Sequence, residues 1–90
     1  MSDQSEFKDW LKQELDDLRR MRDELRVQAH LGRAELRKRW ETLERSMNDL
    51  DNKAKRAAQA AEPSLHQLEQ DVRKLAADLR DGYRRVRDAI

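Results

Sequence analysis

Residues 40–67, WETLERSMNDLDNKAKRAAQAAEPSLHQ, decide the fold. The apolar positions Trp40, Leu43, Met47, Leu50, Ala54, Ala57 and Ala61 advance in alternating steps of three and four. That spacing holds them on one face of an α-helix as a heptad seam, the pattern of a coiled coil. Pro63 interrupts it. Proline disfavours helical backbone at the residue before it, here Glu62, and Ser64 with Gln67 three positions on reads as a fresh capping box.

Upstream, the same stripe runs back through Leu36, Ala29, Leu25, Leu18, Leu15, Leu11 and Phe7, with Asp3 and Glu6 as a capping box at its start. The reading is one long helix over about 4–61, a turn at 62–63 and a shorter helix over about 64–89, in a single helical domain of 1–90. Downstream lies a second stripe of Leu65, Leu68, Val72, Leu75, Leu79, Tyr83, Val86 and Ile90.

In an antiparallel hairpin, facing residues have numbers of nearly constant sum, and here the sum holds at 125 or 126. Leu68 faces Ala57 or Ala58, Val72 faces Ala54, Leu75 faces Leu50 and Leu79 faces Met47. Tyr83 then faces Leu43, Val86 faces Trp40 and Ile90 faces Leu36. Large residues meet small ones near the turn, where the helices approach most closely.

That hairpin leaves the stripe from Phe7 to Ala29 without a partner. Folding the long segment about Gly32 sets Phe7, Trp10 and Leu11 against Ala57, Ala54 and Lys53, and Leu18 near Met47. Two architectures realise the pairing. In the expected one, helix one is continuous and two chains cross antiparallel at Gly32, giving a homodimer with three-helix sections. Its interface is Phe7, Trp10, Leu11, Leu15, Leu18, Leu25 and Gly32. In the alternative, the chain turns at Leu31-Gly32-Arg33 and closes as a compact three-helix monomer. The two are domain-swapped relatives. Gly32 lacks the Pro, Asn, Asp or Ser that usually accompany a helix–helix loop, which favours the continuous helix. Val27, Leu31 and Ala34 form a small patch off the stripe with no assigned partner.

Composition agrees with an all-α chain. Val, Ile and Thr number five among 90 residues, too few for a β-rich fold, and the absence of Cys removes disulfide and thiolate sites. No apolar run approaches the ~20 residues of a membrane span. Met1–Glu6 lacks the basic start and apolar stretch of a secretory signal, so a cytoplasmic location is expected.

Twenty Lys and Arg stand against nineteen Asp and Glu, a net charge of +1. The basic clusters Arg19-Arg20, Arg37-Lys38-Arg39 and Tyr83-Arg84-Arg85-Val86-Arg87 are each flanked by acids, so nucleic acid is not an expected partner. Asp16–Arg20, Glu35–Arg39, Glu41–Arg45, Asp51–Lys55, Glu69–Arg73 and Asp81–Arg85 all place an acid four residues before a base. Each supports a helix by about 0.2–0.5 kcal/mol.

Chemistry is sparse. His30 and His66 lie far apart with no Cys or regular carboxylate spacing beside them, and no Gly-rich phosphate loop or metal motif occurs. No catalytic residue, cofactor or metal is expected, and the chain does not read as an enzyme. Trp40 reads as core, and Trp10, at the stripe's edge, as an anchor for a partner.

Asp23–Glu35 (DELRVQAHLGRAE), Trp40–Glu44 (WETLE) and Asp81–Arg87 (DGYRRVR) resemble a group of small uncharacterised bacterial coiled-coil proteins, some of them labelled stress-response proteins. The resemblance covers most of the chain after residue 20 and carries over no functional residue. It implies a bacterial cytoplasmic helical protein with no known enzymatic activity. The function expected is a self-associating structural or protein-interaction module with an unidentified protein partner. The alternative is reversible binding to membrane surfaces or anionic polymers.

Overall fold

The three apolar stretches each need a neighbour to bury against, and in the computed structural model they find it in one another. The structure describes residues 3–60 and 62–90, with side chains for 6–60 and 65–90. The chain is all-helical there: α1 spans Asp3–His30, α2 Ala34–Gln59 and α3 Glu62–Ala89. Every pair of helices packs together, in a bundle with Cα extents of 46 × 17 × 15 Å. The sequence-expected capping boxes rest on the side chains of Asp3 and Ser64, which lie outside the described side chains, and the stripe residue Ala61 lies outside the described residues.

The continuous helix over 4–61 is corrected by a break at Leu31-Gly32-Arg33. Leu31 N–H still donates to Val27 C=O at 3.1 Å, and Gly32 N–H donates to Ala29 C=O at 3.3 Å, tightening the end of α1. Arg33 is extended (φ −63°, ψ 161°), and its carbonyl accepts the first bond of α2 from Arg37 N–H at 3.0 Å. Closing a three-residue connection costs little chain entropy, and burial within one chain avoids the entropy cost of association.

The second turn also moves. α2 ends at Gln59 and α3 begins at Glu62, so Pro63 falls in the first turn of α3 instead of in the connection. A proline is tolerated there because its missing N–H would have had no helical partner.

The core is one cluster drawn from all three helices. Leu18, Ala29, Trp40, Leu50, Ala57, Val72, Ala76 and Tyr83 are wholly enclosed, with Phe7, Leu11, Leu25, Met47, Leu65, Leu79 and Val86 nearly so. Leu36, Leu43, Ala54, Leu68 and Leu75 are half-buried at its margin. Ala76, which the second stripe leaves out, takes the inner position beside Leu75.

Candidate interaction surface

The antiparallel course of α1 and α2, then of α2 and α3, brings the C-terminus of α1, the N-terminus of α2 and the C-terminus of α3 to one end of the bundle. We call it the turn end. Residues 26–39 and 84–90, which build it, hold eight Lys or Arg against two acids, a net +6. The opposite end, residues 3–17 and 51–72, holds five against ten, a net −5. Between them seven bases meet seven acids. A nearly neutral chain therefore folds into an electrically polar rod.

Part of the positive charge serves the helices. Arg84, Arg85 and Arg87 sit at the C-terminus of α3, where cations complement the helix dipole. The same reason fails for α2. Arg33 and Arg37 flank its first turn, with Lys38 and Arg39 just beyond, at the end where the dipole repels cations; Glu35 is the one acid among them. Among the described residues, Arg33, Arg37, Lys38, Arg39, Arg84 and Arg87 form no ion pair.

The turn end is also where apolar surface is shown. The described residues include three exposed large apolar side chains, Val27 (64%), Leu31 (82%) and Ile90 (51%), and all three are here. Beside them an open groove of about 520 Å³ is lined by Gly32, Leu36 and Ile90 together with Arg33, Arg39 and the acidic Glu35. Gly32 has no positive φ, so its value is space: a Cβ there would stand 2.5 Å from Leu36 Cδ2.

The residues assigned from sequence to a dimer interface lie inside the chain's own bundle. Phe7, Leu11, Leu18 and Leu25 are buried in the shared core, Trp10 and Leu15 pack on it half-buried, and Gly32 is in the turn. Trp10 stacks on Phe7 with ring centroids 6.0 Å apart, and the Arg73 guanidinium covers it at 4.5 Å. Covered in this way, it is not the open anchor its position suggested.

Sequence reading missed the tie between α1 and α3. Arg80 bonds to Glu14 through Nη2 at 2.6 Å and Nε at 3.2 Å, with Asp17 at 3.6 Å and Met21 Sδ at 3.9 Å. Met21 carried a signal, three positions after Leu18 and four before Leu25, while Arg80 and Glu14 carried none. Of the expected i,i+4 pairs, Glu69–Arg73 closes at 2.9 Å and Asp81–Arg85 at 3.1 Å. Asp51 turns to α1 instead and accepts from Arg19 at 2.8 Å.

Elsewhere the chemistry is structural. Trp40 and Tyr83 rings meet at 5.4 Å, and Trp40 Nε1 donates to Glu44 at 2.6 Å. His30 and His66 are both exposed and lie toward opposite ends. Among the described residues no cluster of three or more His, Cys, Asp or Glu is placed to hold a metal ion, and no helix is long and apolar enough to cross a membrane. The site thus defines an all-helical bundle with one basic, apolar-tipped end. No family model matches the chain, and no curated protein or solved structure matches it significantly.

Proposed function

We propose that this chain is a non-enzymatic helical interaction module whose working surface is the turn end. The observation carrying this reading is that exposed large apolar side chains and excess positive charge coincide at that end. Core packing explains neither, and cations at the N-terminus of α2 work against helix stability. A basic, apolar-tipped surface present at that cost to the helix fits a role in binding.

The test is an amide chemical-shift titration with polyglutamate, with polylysine as the opposite probe. Polyglutamate is expected to shift residues 26–39 and 84–90, and polylysine the other end. Shifts of equal size along the whole rod would contradict the reading.

A second reading, self-association by exchange of α1, is favoured by the short turn at 31–33, which has no side-chain cap at Arg33. Straightening it would join α1 and α2, and a second chain would then supply the Glu14–Arg80 and Trp10–Arg73 contacts. Light scattering on a dilution series prepared from concentrated stock tests this. A slowly dissociating dimer with unchanged helicity supports exchange, and a single-chain mass throughout removes it.

A further inference from the structure

We propose that the turn end docks on an anionic lipid surface, the rod standing on that end with Leu31, Val27 and Ile90 entering the interface and the surrounding Arg and Lys meeting phosphate groups. This rests on the turn end being the working surface, and adds its occupant and its orientation.

Size argues first. The bundle is only 17 × 15 Å across its Cα atoms, so its tip is a narrow footing for the flat face of roughly 800 Å² per partner that a stable protein interface uses. A lipid surface needs no matching area, because it closes around whatever protrudes. Leu31, 82% exposed at the summit of the turn, is placed to enter such a surface. Arg33 is two residues from it and Arg37 one helical turn further along α2, and Lys38 and Arg39 have stems long enough to reach down while their charges stay in the headgroup layer.

Charge sets the orientation. An anionic surface attracts the +6 end and repels the −5 end, and the balanced middle gives the flanks no reason to lie flat. This differs from an amphipathic helix lying in the interface, whose apolar face would be the buried stripe of the bundle. Here that stripe stays in the core and only the tip engages.

The experiment is co-sedimentation with vesicles of equimolar phosphatidylcholine and phosphatidylglycerol, and with phosphatidylcholine alone. The intact chain is expected to bind the mixed vesicles, to release them as salt rises, and to ignore the neutral ones. Arg33→Glu with Arg37→Glu should weaken binding at least about tenfold, since each basic residue near the surface contributes roughly a fivefold factor. Leu31→Asp should weaken it too, while Lys53→Glu with Lys55→Glu, at the far end, should change it less than about twofold. All five positions are exposed or half-buried, and far-ultraviolet circular dichroism checks that each variant is folded.

Equal losses from both double variants would overturn docking by the tip. If mixed vesicles fail while polyglutamate still shifts residues 26–39 and 84–90, the lipid proposal falls and the end is left to an acidic polypeptide. If neither probe engages the turn end, the reading beneath it falls as well.

Discussion

Arg80 holds Glu14 across 66 positions of sequence, both carboxylate oxygens accepting from one guanidinium at 2.6 and 3.2 Å. The contact ties the start of the chain to its last helix. Hydrogen bonding to Glu14 raises the Arg80 pKa above its already high ordinary value, against the opposing effect of burial. Both side chains are largely covered. Arg80→Met is expected to cost about 1–3 kcal/mol, the range for charge-assisted bonds. Urea denaturation reads this directly. A loss of a few tenths would mean the pair is an ordinary surface ion pair.

Tyr83 is enclosed beside Trp40, and its hydroxyl has no hydrogen-bond partner. An unsatisfied buried hydroxyl costs about 1–3 kcal/mol. Tyr83→Phe removes that cost while keeping the ring, so the urea midpoint should rise. A fall would show that the hydroxyl is bonded in solution.

The same burial pushes the Tyr83 phenol up to about 12. The folded chain then holds this proton more tightly than the unfolded chain, whose phenol titrates near 10. The stability it contributes is complete below pH 10 and is lost as pH climbs from about 10 to 12, by up to about 2–3 kcal/mol. Tyr83 is the one tyrosine in the chain, so phenolate absorbance reports it alone. Ionisation near pH 10 in the folded protein would contradict its enclosure.

Leu18→Asp and Leu31→Asp form a matched pair. Leu18 is fully buried, and an unpaired carboxylate there should unfold the chain or cost more than about 4 kcal/mol. Leu31 is mostly exposed, and its substitution should shift stability by no more than about 0.5 kcal/mol. Thermal melts of both variants make the comparison. Similar losses would place Leu31 in a core.

Gly32→Ala acts on the turn. Alanine favours helix by about 1 kcal/mol over glycine, and its Cβ would press on Leu36 Cδ2. Both effects favour a straight segment through 31–33. If α1 exchanges between chains, the dimer fraction should rise several-fold by light scattering at fixed concentration. An unchanged mass would separate the turn from self-association.

The helical class was legible in the sequence because steps of three and four persist through Trp40–Ala57 and Leu65–Val86. The break at Leu31-Gly32-Arg33 was not. Gly32 adopts no left-handed backbone and has no Pro, Asn, Asp or Ser beside it, so the turn leaves almost no local trace. Packing of Phe7, Leu11, Leu18 and Leu25 on the other two helices demands those neighbours from either the same chain or a second one, and closure within one chain avoids the entropy cost of association. The surface was legible only in pieces. Val27, Leu31 and Ala34 stood out as an unpartnered patch, but Arg37-Lys38-Arg39 and Arg84-Arg85 each look balanced by neighbouring acids in sequence. Their excess emerges when the fold brings 26–39 beside 84–90 and sends most of the acids to the other end.

Everything proposed for the turn end depends on the chain closing on itself there. Small-angle scattering with light scattering at micromolar concentration tests that closure most directly. The account predicts a single-chain mass of 10.8 kDa and a radius of gyration close to the 14.3 Å of the Cα trace. A two-chain mass with the profile of a rod about 85 Å or longer would contradict it, because α1 and α2 would then run on as one helix.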